Sequence, residues 1–204
     1  MKILIVAGLP SFLPEISFDK LIGVDRGALW LIERGQQLDL AIGDFDSVRA
    51  DEFERISQQA TEVVKLPSEK DETDLEAALI LVNERFAQAQ ITIIGALGGR
   101  LDHMLTNIYL PLQFANCEKI ELLDEQNLIK YLKTGEHILS RKEGYKYIGF
   151  AQINTERTLE INNAKYPLKA EENFADIYAS NEFISDKMSV KFDKGYLIVM
   201  YSKD

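Results

Sequence analysis

The sequence predicts an α/β domain with a mainly parallel sheet over residues 1–124, followed by a mostly β domain over residues 125–204. Up to about residue 124, short apolar, β-branched runs alternate with longer segments of helical period, the pattern of a parallel sheet covered by helices. Beyond that point the runs are short, alternating and separated by turn residues. With 46% hydrophobic and 27% charged residues among 204, the chain has the composition of a folded globular protein with one full core or two small ones.

The expected strands of the first half are Ile3 to Ala7, Lys20 to Val24, Leu40 to Gly43, Val63 to Leu66, Ile91 to Gly95 and Lys119 to Leu123, with helices between them. The opening run stops at Gly8-Leu9-Pro10, too short for a signal segment, and reads as a buried first strand. The clearest helix begins near Thr73. There Thr73-x-x-Glu76 has the form of a capping box, and Leu75, Ala78, Leu79, Val82 and Phe86 repeat at helical spacing. In the second half the expected strands are Leu128 to Leu132, His137 to Leu139, Tyr145 to Ile153, Thr158 to Ile161, Ser189 to Phe192 and Tyr196 to Tyr201. Asp193-Lys194-Gly195 reads as a hairpin turn between the last two.

Composition also excludes partners. A net charge of -10 repels a phosphate backbone, so nucleic acid is not an expected partner. No apolar run approaches the roughly 18 residues of a membrane span. A single cysteine, Cys117, excludes an intramolecular disulfide and fits a reducing, cytoplasmic setting.

Four motifs fall where a predicted strand ends, the edge at which open α/β sheets gather ligands. In Gly43-Asp44-Phe45-Asp46-Ser47 a buried strand runs into two carboxylates two residues apart, on the same side of an extended backbone. Two such charges about 4 Å apart repel by about 4 kcal/mol at an effective dielectric of about 20. Either a hard cation such as magnesium compensates them, or the segment is a solvated turn with Ser47 capping the next helix. In Pro67-Ser68-Glu69-Lys70-Asp71-Glu72-Thr73-Asp74 the acids suit a helix N-terminus. At the same sheet edge, Asp71 and Asp74 would complete a carboxylate cluster able to hold a metal on nucleotide phosphates, with Lys70 placed to touch one.

Gly95-Ala96-Leu97-Gly98-Gly99-Arg100-Leu101-Asp102-His103 places flexible glycines and an arginine before a helix. Backbone N–H groups there can converge on an anion. The alternative is a glycine turn with Asp102 as N-cap. The Lys-Ser/Thr that ends a Walker A loop is missing. His103 is either a proton shuttle or a hydrogen-bonded structural histidine. In Gly23-Val24-Asp25-Arg26-Gly27-Ala28, Asp25 and Arg26 either serve a ligand or pair with each other.

Taken in order and spacing, Val24-Asp25-Arg26-Gly27-Ala28, Gly43-Asp44-Phe45-Asp46-Ser47, Lys70-Asp71-x-Thr73-Asp74 and Gly98-Gly99-Arg100-x-Asp102-His103 resemble the thiamine pyrophosphokinase family. Ala164-Lys165-Tyr166-Pro167-Leu168 and Ser180-Asn181-Glu182-Phe183 are similar to that family's β-domain signatures. The resemblance implies a Rossmann-like α/β domain for ATP and Mg²⁺, then an all-β sandwich for thiamine. It also implies a homodimer with an active site shared between subunits, and transfer of the terminal diphosphoryl group of ATP to the thiamine hydroxyl, leaving AMP.

Carried over residue by residue, the resemblance gives Asp44, Asp46, Asp71 and Asp74 as the magnesium cluster and, with Arg100 and Asp102, as the catalytic set. Asp25, Arg26, Lys70, Thr73, Arg100 and His103 become contacts to ATP and its phosphates. Tyr166 stacks on the thiamine pyrimidine, and Ser180 and Asn181 are its polar neighbours. One departure touches loop shape, since Asn163-Ala164 stands where the family pattern carries Gly-Leu. Two rival readings remain: a magnesium-dependent nucleotide hydrolase would use the same aspartates, whereas a non-catalytic protein that binds thiamine or nucleotide would not need an intact carboxylate cluster, and the presence of all four aspartates counts against it.

Overall fold

The computed structural model describes residues 1–204, and the chain divides into two compact units, Met1–Glu125 and Gln126–Asp204. In the first, strands β1 (Lys2–Val6), β2 (Lys20–Val24), β3 (Leu38–Gly43), β4 (Ala60–Lys65), β5 (Gln90–Ile94) and β6 (Ile120–Leu123) form a parallel sheet. Their spatial order is β6-β5-β1-β2-β3-β4. The chain moves outward from β1 to β4, then returns to lay β5 on the other side of β1, so the β1/β5 boundary is a topological switch point.

Helices α1 (Arg26–Ile32), α2 (Ala50–Gln59), α3 (Asp74–Arg85) and α4 (Leu101–Tyr109) follow β2, β3, β4 and β5. No helix joins β1 to β2, against expectation. Pro10 and Pro14 interrupt that segment, each lacking the N–H a helix interior needs. Its Leu13 and Phe18 instead pack on the core formed by Leu4, Val6, Leu31, Leu38 and Ile56. The α3 stripe is as expected, with Leu75, Ala78, Leu79 and Val82 buried and the Thr73 hydroxyl accepting from the Glu76 amide at 3.2 Å. By contrast α4 buries none of its residues.

The second unit is an antiparallel β structure of β7 (Asn127–Ser140), β8 (Tyr147–Ile153), β9 (Glu160–Asn162), β10 (Ile177–Asn181) and β11 (Lys187–Ser202). The expected hairpin at Asp193-Lys194-Gly195 is absent. Strand β11 runs straight through it, paired along its length with a continuous β7, and the register shifts between Phe192 and Tyr196. The buried set moves from Met188, Val190 and Phe192 to Leu197, Val199 and Tyr201. From Phe192 to Tyr196 β11 advances four residues while β7 advances two, so the two extra residues form a bulge. Gly195 takes φ +80 there, and a Cβ would lie 2.2 Å from Ile153 O. On one side of the bulge β11 pairs with β9, on the other with β8.

Tyr201 closes this core, its hydroxyl donating to Ser140 O at 3.2 Å. Burial pushes its phenol up to about 12. The fold favours the neutral phenol, so this contribution is full below about pH 10, where an unfolded tyrosine begins to ionise, and is lost as pH rises towards about 12. Chemical unfolding between pH 9 and 12 should show this alkaline loss in the wild type and a flatter limb in Tyr201→Phe.

Candidate active site

The carboxyl ends of the first unit's strands open into a cavity of about 330 Å³. Its lining includes Gly8 after β1, Asp25 after β2, Lys70 and Asp74 after β4, and Gly95, Gly98 and His103 after β5. The switch point therefore lies in its floor. Gly95 is required there: it has φ +72, and a Cβ would sit 2.7 Å from Ala7 O and 2.8 Å from Pro10 N.

The carboxylates are placed by strained turns. Phe45 holds φ 58 and Asp25 φ 50, conformations that cost a residue with a Cβ about 1–3 kcal/mol. Phe45 is buried in the core and its ring lies 4.9 Å from that of Phe53, which offsets the strain. This turn, rather than an extended strand, brings Asp44 and Asp46 together. The Asp46 amide donates to Asp44 Oδ1 at 3.1 Å. Carboxylate oxygens of Asp25, Asp44 and Asp46 lie within 4.8 Å of one another.

Ser47 caps no helix. The N-cap of α2 is Arg49, and the Ser47 hydroxyl donates to Asp25 Oδ2 at 2.5 Å. Arg26 pairs not with Asp25 but with Ser47 O, at 3.0 Å. Asp25 Oδ1 is buried without a hydrogen-bond partner. Burial raises the Asp25 pKa, and neighbouring Asp74 and Asp44 add to the rise against the Ser47 hydrogen bond. A carboxylate with one orphaned oxygen, grouped with two more carboxylates, is a donor set suited to a hard divalent cation.

Lys70 stands between Asp44 and Asp74, its Nζ 3.2 Å from Asp44 Oδ2 and 3.0 Å from Asp74 Oδ1. Asp74 Oδ1 also accepts from the Asp44 amide at 3.3 Å. Burial alone would push the Asp44 carboxyl up, but hydrogen bonds from the Asp46 amide and Lys70 outweigh it and hold the pKa low. Burial likewise works against the Lys70 ammonium, and its bonds to Asp74 and Asp44 prevail and raise its pKa. Thr73 lines the cavity as the N-cap of α3. Asp71 is exposed and, like Arg26, Asp44, Asp46 and Arg100, lies outside the cavity lining, but unlike Asp44 and Asp46 it is also outside the carboxylate cluster.

At the start of α4, Arg100 is the N-cap and forms a two-pronged pair with Asp102, Nε to Oδ1 at 3.1 Å and Nη2 to Oδ2 at 2.6 Å. That pair pulls the exposed Asp102 carboxyl down to about 2. His103 is exposed at the cavity rim, and its amide donates to Asp102 Oδ1. The sequence carries no sign of Asn107, which lines the cavity and donates to Ala96 O at 2.8 Å, fixing α4 to the glycine loop. It also offered no sign that Asp25 belongs to the carboxylate cluster. Its proximity to Asp44 depends on β2 and β3 being neighbours.

In the second unit, Tyr166 is 58% exposed. Buried Asn181 clamps its main chain: Asn181 Oδ1 accepts from the amides of Tyr166 (3.0 Å) and Glu182 (2.9 Å), and Nδ2 donates to Tyr166 O at 2.7 Å. Ser180 is exposed at φ 59, beside the irregular pairing of β10 with β8. Asn163 adopts φ 61, the left-handed turn that a glycine would otherwise supply and that asparagine tolerates.

Residues 16–123 match the family described as thiamin pyrophosphokinase, catalytic domain, and residues 136–197 match thiamin pyrophosphokinase, vitamin B1 binding domain. The chain belongs to the thiamine pyrophosphokinase family. Thiamine pyrophosphokinase of Bacillus subtilis is 35% identical over 98% of both chains. A solved structure of a thiamin pyrophosphokinase family protein from Enterococcus faecalis superposes over 100% of both chains with a TM-score of 0.94 and 38% identity. Yeast thiamin pyrophosphokinase, at 14% identity over 98% of this chain and 86% of that one, shares the fold with a TM-score of 0.82. The catalytic match of the thiamine pyrophosphokinase family encloses every carboxylate of the cavity, and the vitamin B1 match encloses Tyr166, Ser180 and Asn181.

Proposed function

We propose that this chain is a thiamine pyrophosphokinase that transfers the diphosphoryl group of ATP to the hydroxyl of thiamine, giving thiamine diphosphate and AMP. The observation that carries the reading is the cluster of Asp25, Asp44 and Asp46 at the ends of β2 and β3, joined through Asp25 and the Lys70–Asp44 contact to the cavity that Gly95 and Gly98 also line. The first unit, in this reading, is a Rossmann-like domain that takes ATP, and the second takes thiamine.

Asp44, Asp46 and Asp25 would hold magnesium, joined by Asp74 when Lys70 is elsewhere. Bound magnesium would neutralise charge on the phosphate oxygens. Phosphoryl transfer is largely positioning and electrostatics, which these residues can supply. Amides of the glycine loop orient the phosphate chain, Lys70 and Arg100 offer it positive charge, and Arg26, Thr73 and His103 flank it. Tyr166 presents its exposed ring to the thiamine pyrimidine, with Ser180 beside it and Asn181 holding its backbone. Incubation with ATP and Mg²⁺, with and without thiamine, tests the reading by chromatography. AMP should form only when thiamine is present. ADP or phosphate released at equal rates without thiamine would mark a nucleotide hydrolase instead.

A homodimer with a shared site completes the proposal. Leu101, Leu105 and Tyr109 recur every four residues along α4 and are 64%, 46% and 48% exposed, an apolar stripe beside the cavity rim. Light scattering should give twice the chain mass of 23.2 kDa, and Leu105→Asp should shift the protein towards monomer with loss of turnover. A fully active monomer would refute the shared site.

A further inference from the structure

Lys70 is the only lysine or arginine lining the cavity, and all its donors are engaged. Its Nζ meets Asp44 Oδ2 at 3.2 Å, Asp74 Oδ1 at 3.0 Å and Pro67 O at 3.1 Å. An ammonium has three hydrogens, so this tripod saturates it. The Lys70 and Asp44 side chains are 11% and 10% exposed, which leaves little water to screen the charge. The ammonium thus occupies the gap between two of the carboxylates that a divalent cation would otherwise draw together.

We propose that Lys70 is a resident counter-ion that holds the cation position between Asp44 and Asp74 in the free protein and yields it only when a polyphosphate offers its ammonium new acceptors. The inference rests on the magnesium and nucleotide reading above and adds to it an order of events. A lone metal ion enters beside a positive charge and must strip Lys70 of acceptors without replacing them. A metal arriving with a polyphosphate brings oxygens that receive Lys70 as it leaves Asp44 and Asp74. Metal and polyphosphate are then positively coupled, each tightening the other by the same factor. The cluster stays neutralised between turnovers and does not fill with metal before nucleotide.

Titration calorimetry on the full chain tests this with two probes, Mn²⁺ alone and the preformed complex of Mn²⁺ with a non-hydrolysable ATP analogue. Lys70→Met should bind Mn²⁺ alone at least about tenfold more tightly than wild type and bind the preformed complex about tenfold more weakly, a coupling of ordinary allosteric size. Opposite signs are the signature, since local damage to the site weakens both. Adding Asp44→Asn to Lys70→Met should abolish the gain for Mn²⁺. Lys70→Gln, which keeps a polar side chain without charge, should behave like Lys70→Met. Mg²⁺ alone should raise the melting temperature of either variant and leave wild type unchanged. Unchanged or weaker Mn²⁺ binding in both variants overturns the counter-ion role while leaving the metal site intact. Failure of wild type to bind the preformed complex overturns the metal and nucleotide reading, and this inference with it.

Discussion

Asparagine at Asp44 should lower turnover by about a hundred- to a thousandfold, the loss typical when one preorganised electrostatic contact to a transition state is removed. Asp44 sits at the centre of the arrangement. It orders the Asp46 amide through Oδ1, receives Lys70 through Oδ2, and shares the cluster with Asp25. Asparagine keeps the shape but removes the charge that would hold a metal. Folding should survive, because Lys70 retains Asp74 and Pro67 O as partners and one repulsion among the carboxylates is relieved. Asp46→Asn should follow Asp44→Asn. Asp71→Asn is the contrast: exposed and outside the Asp25, Asp44 and Asp46 cluster, it should change turnover by no more than about twofold, as ordinary surface substitutions do. Steady-state kinetics at saturating Mg²⁺ with melting curves on the same preparations decide the matter. Near wild-type turnover in Asp44→Asn and Asp46→Asn would remove both from the metal site.

Tyr166→Ala should raise the KM for thiamine about tenfold, the scale of a lost aromatic contact with its buried area. The KM for ATP should not change, nor the melting temperature, because the ring is exposed and takes no part in the core. Phenylalanine should be nearly harmless. Asn181→Leu should behave differently. It strips hydrogen-bond partners from the Tyr166 amide and carbonyl and from the Glu182 amide, and each unpaired buried group costs about 1–3 kcal/mol. Stability and thiamine KM should therefore worsen together in Asn181→Leu and separate in Tyr166→Ala. An early-melting Tyr166→Ala, or one with a wild-type KM for thiamine, would take the tyrosine out of the site.

The parallel sheet was legible because β1, β2, β3 and β5 are largely buried and read as plain apolar runs. The α3 helix was legible because a cap and a stripe agree. What the sequence hid depended on contacts distant along the chain. Asp25 and Ser47 are neighbours only because β2 lies beside β3. Arg100 reads as an anion donor in isolation, yet its fork is filled by Asp102 two residues on. The bulge in β11 resembled a turn because Asp193-Lys194-Gly195 has turn chemistry; what makes it a bulge is the continuous β7 that pairs with β11 on both sides of it, a contact distant along the chain. The exposed apolar stripe of α4 was concealed in another way, since its helical period is the same as that of a helix packed on a sheet.

The turns after β2 and β3 build the proposed metal site at the carboxyl edge of the parallel sheet. Anomalous diffraction from crystals grown with Mn²⁺ and a non-hydrolysable ATP analogue tests it most directly. The expected result is a manganese peak bonded to Asp44 and Asp46, with Lys70 turned from Asp44 towards the phosphates. A peak at Asp71 or Asp102, or ordered nucleotide phosphates in the cavity with no metal at Asp44 and Asp46, would contradict it.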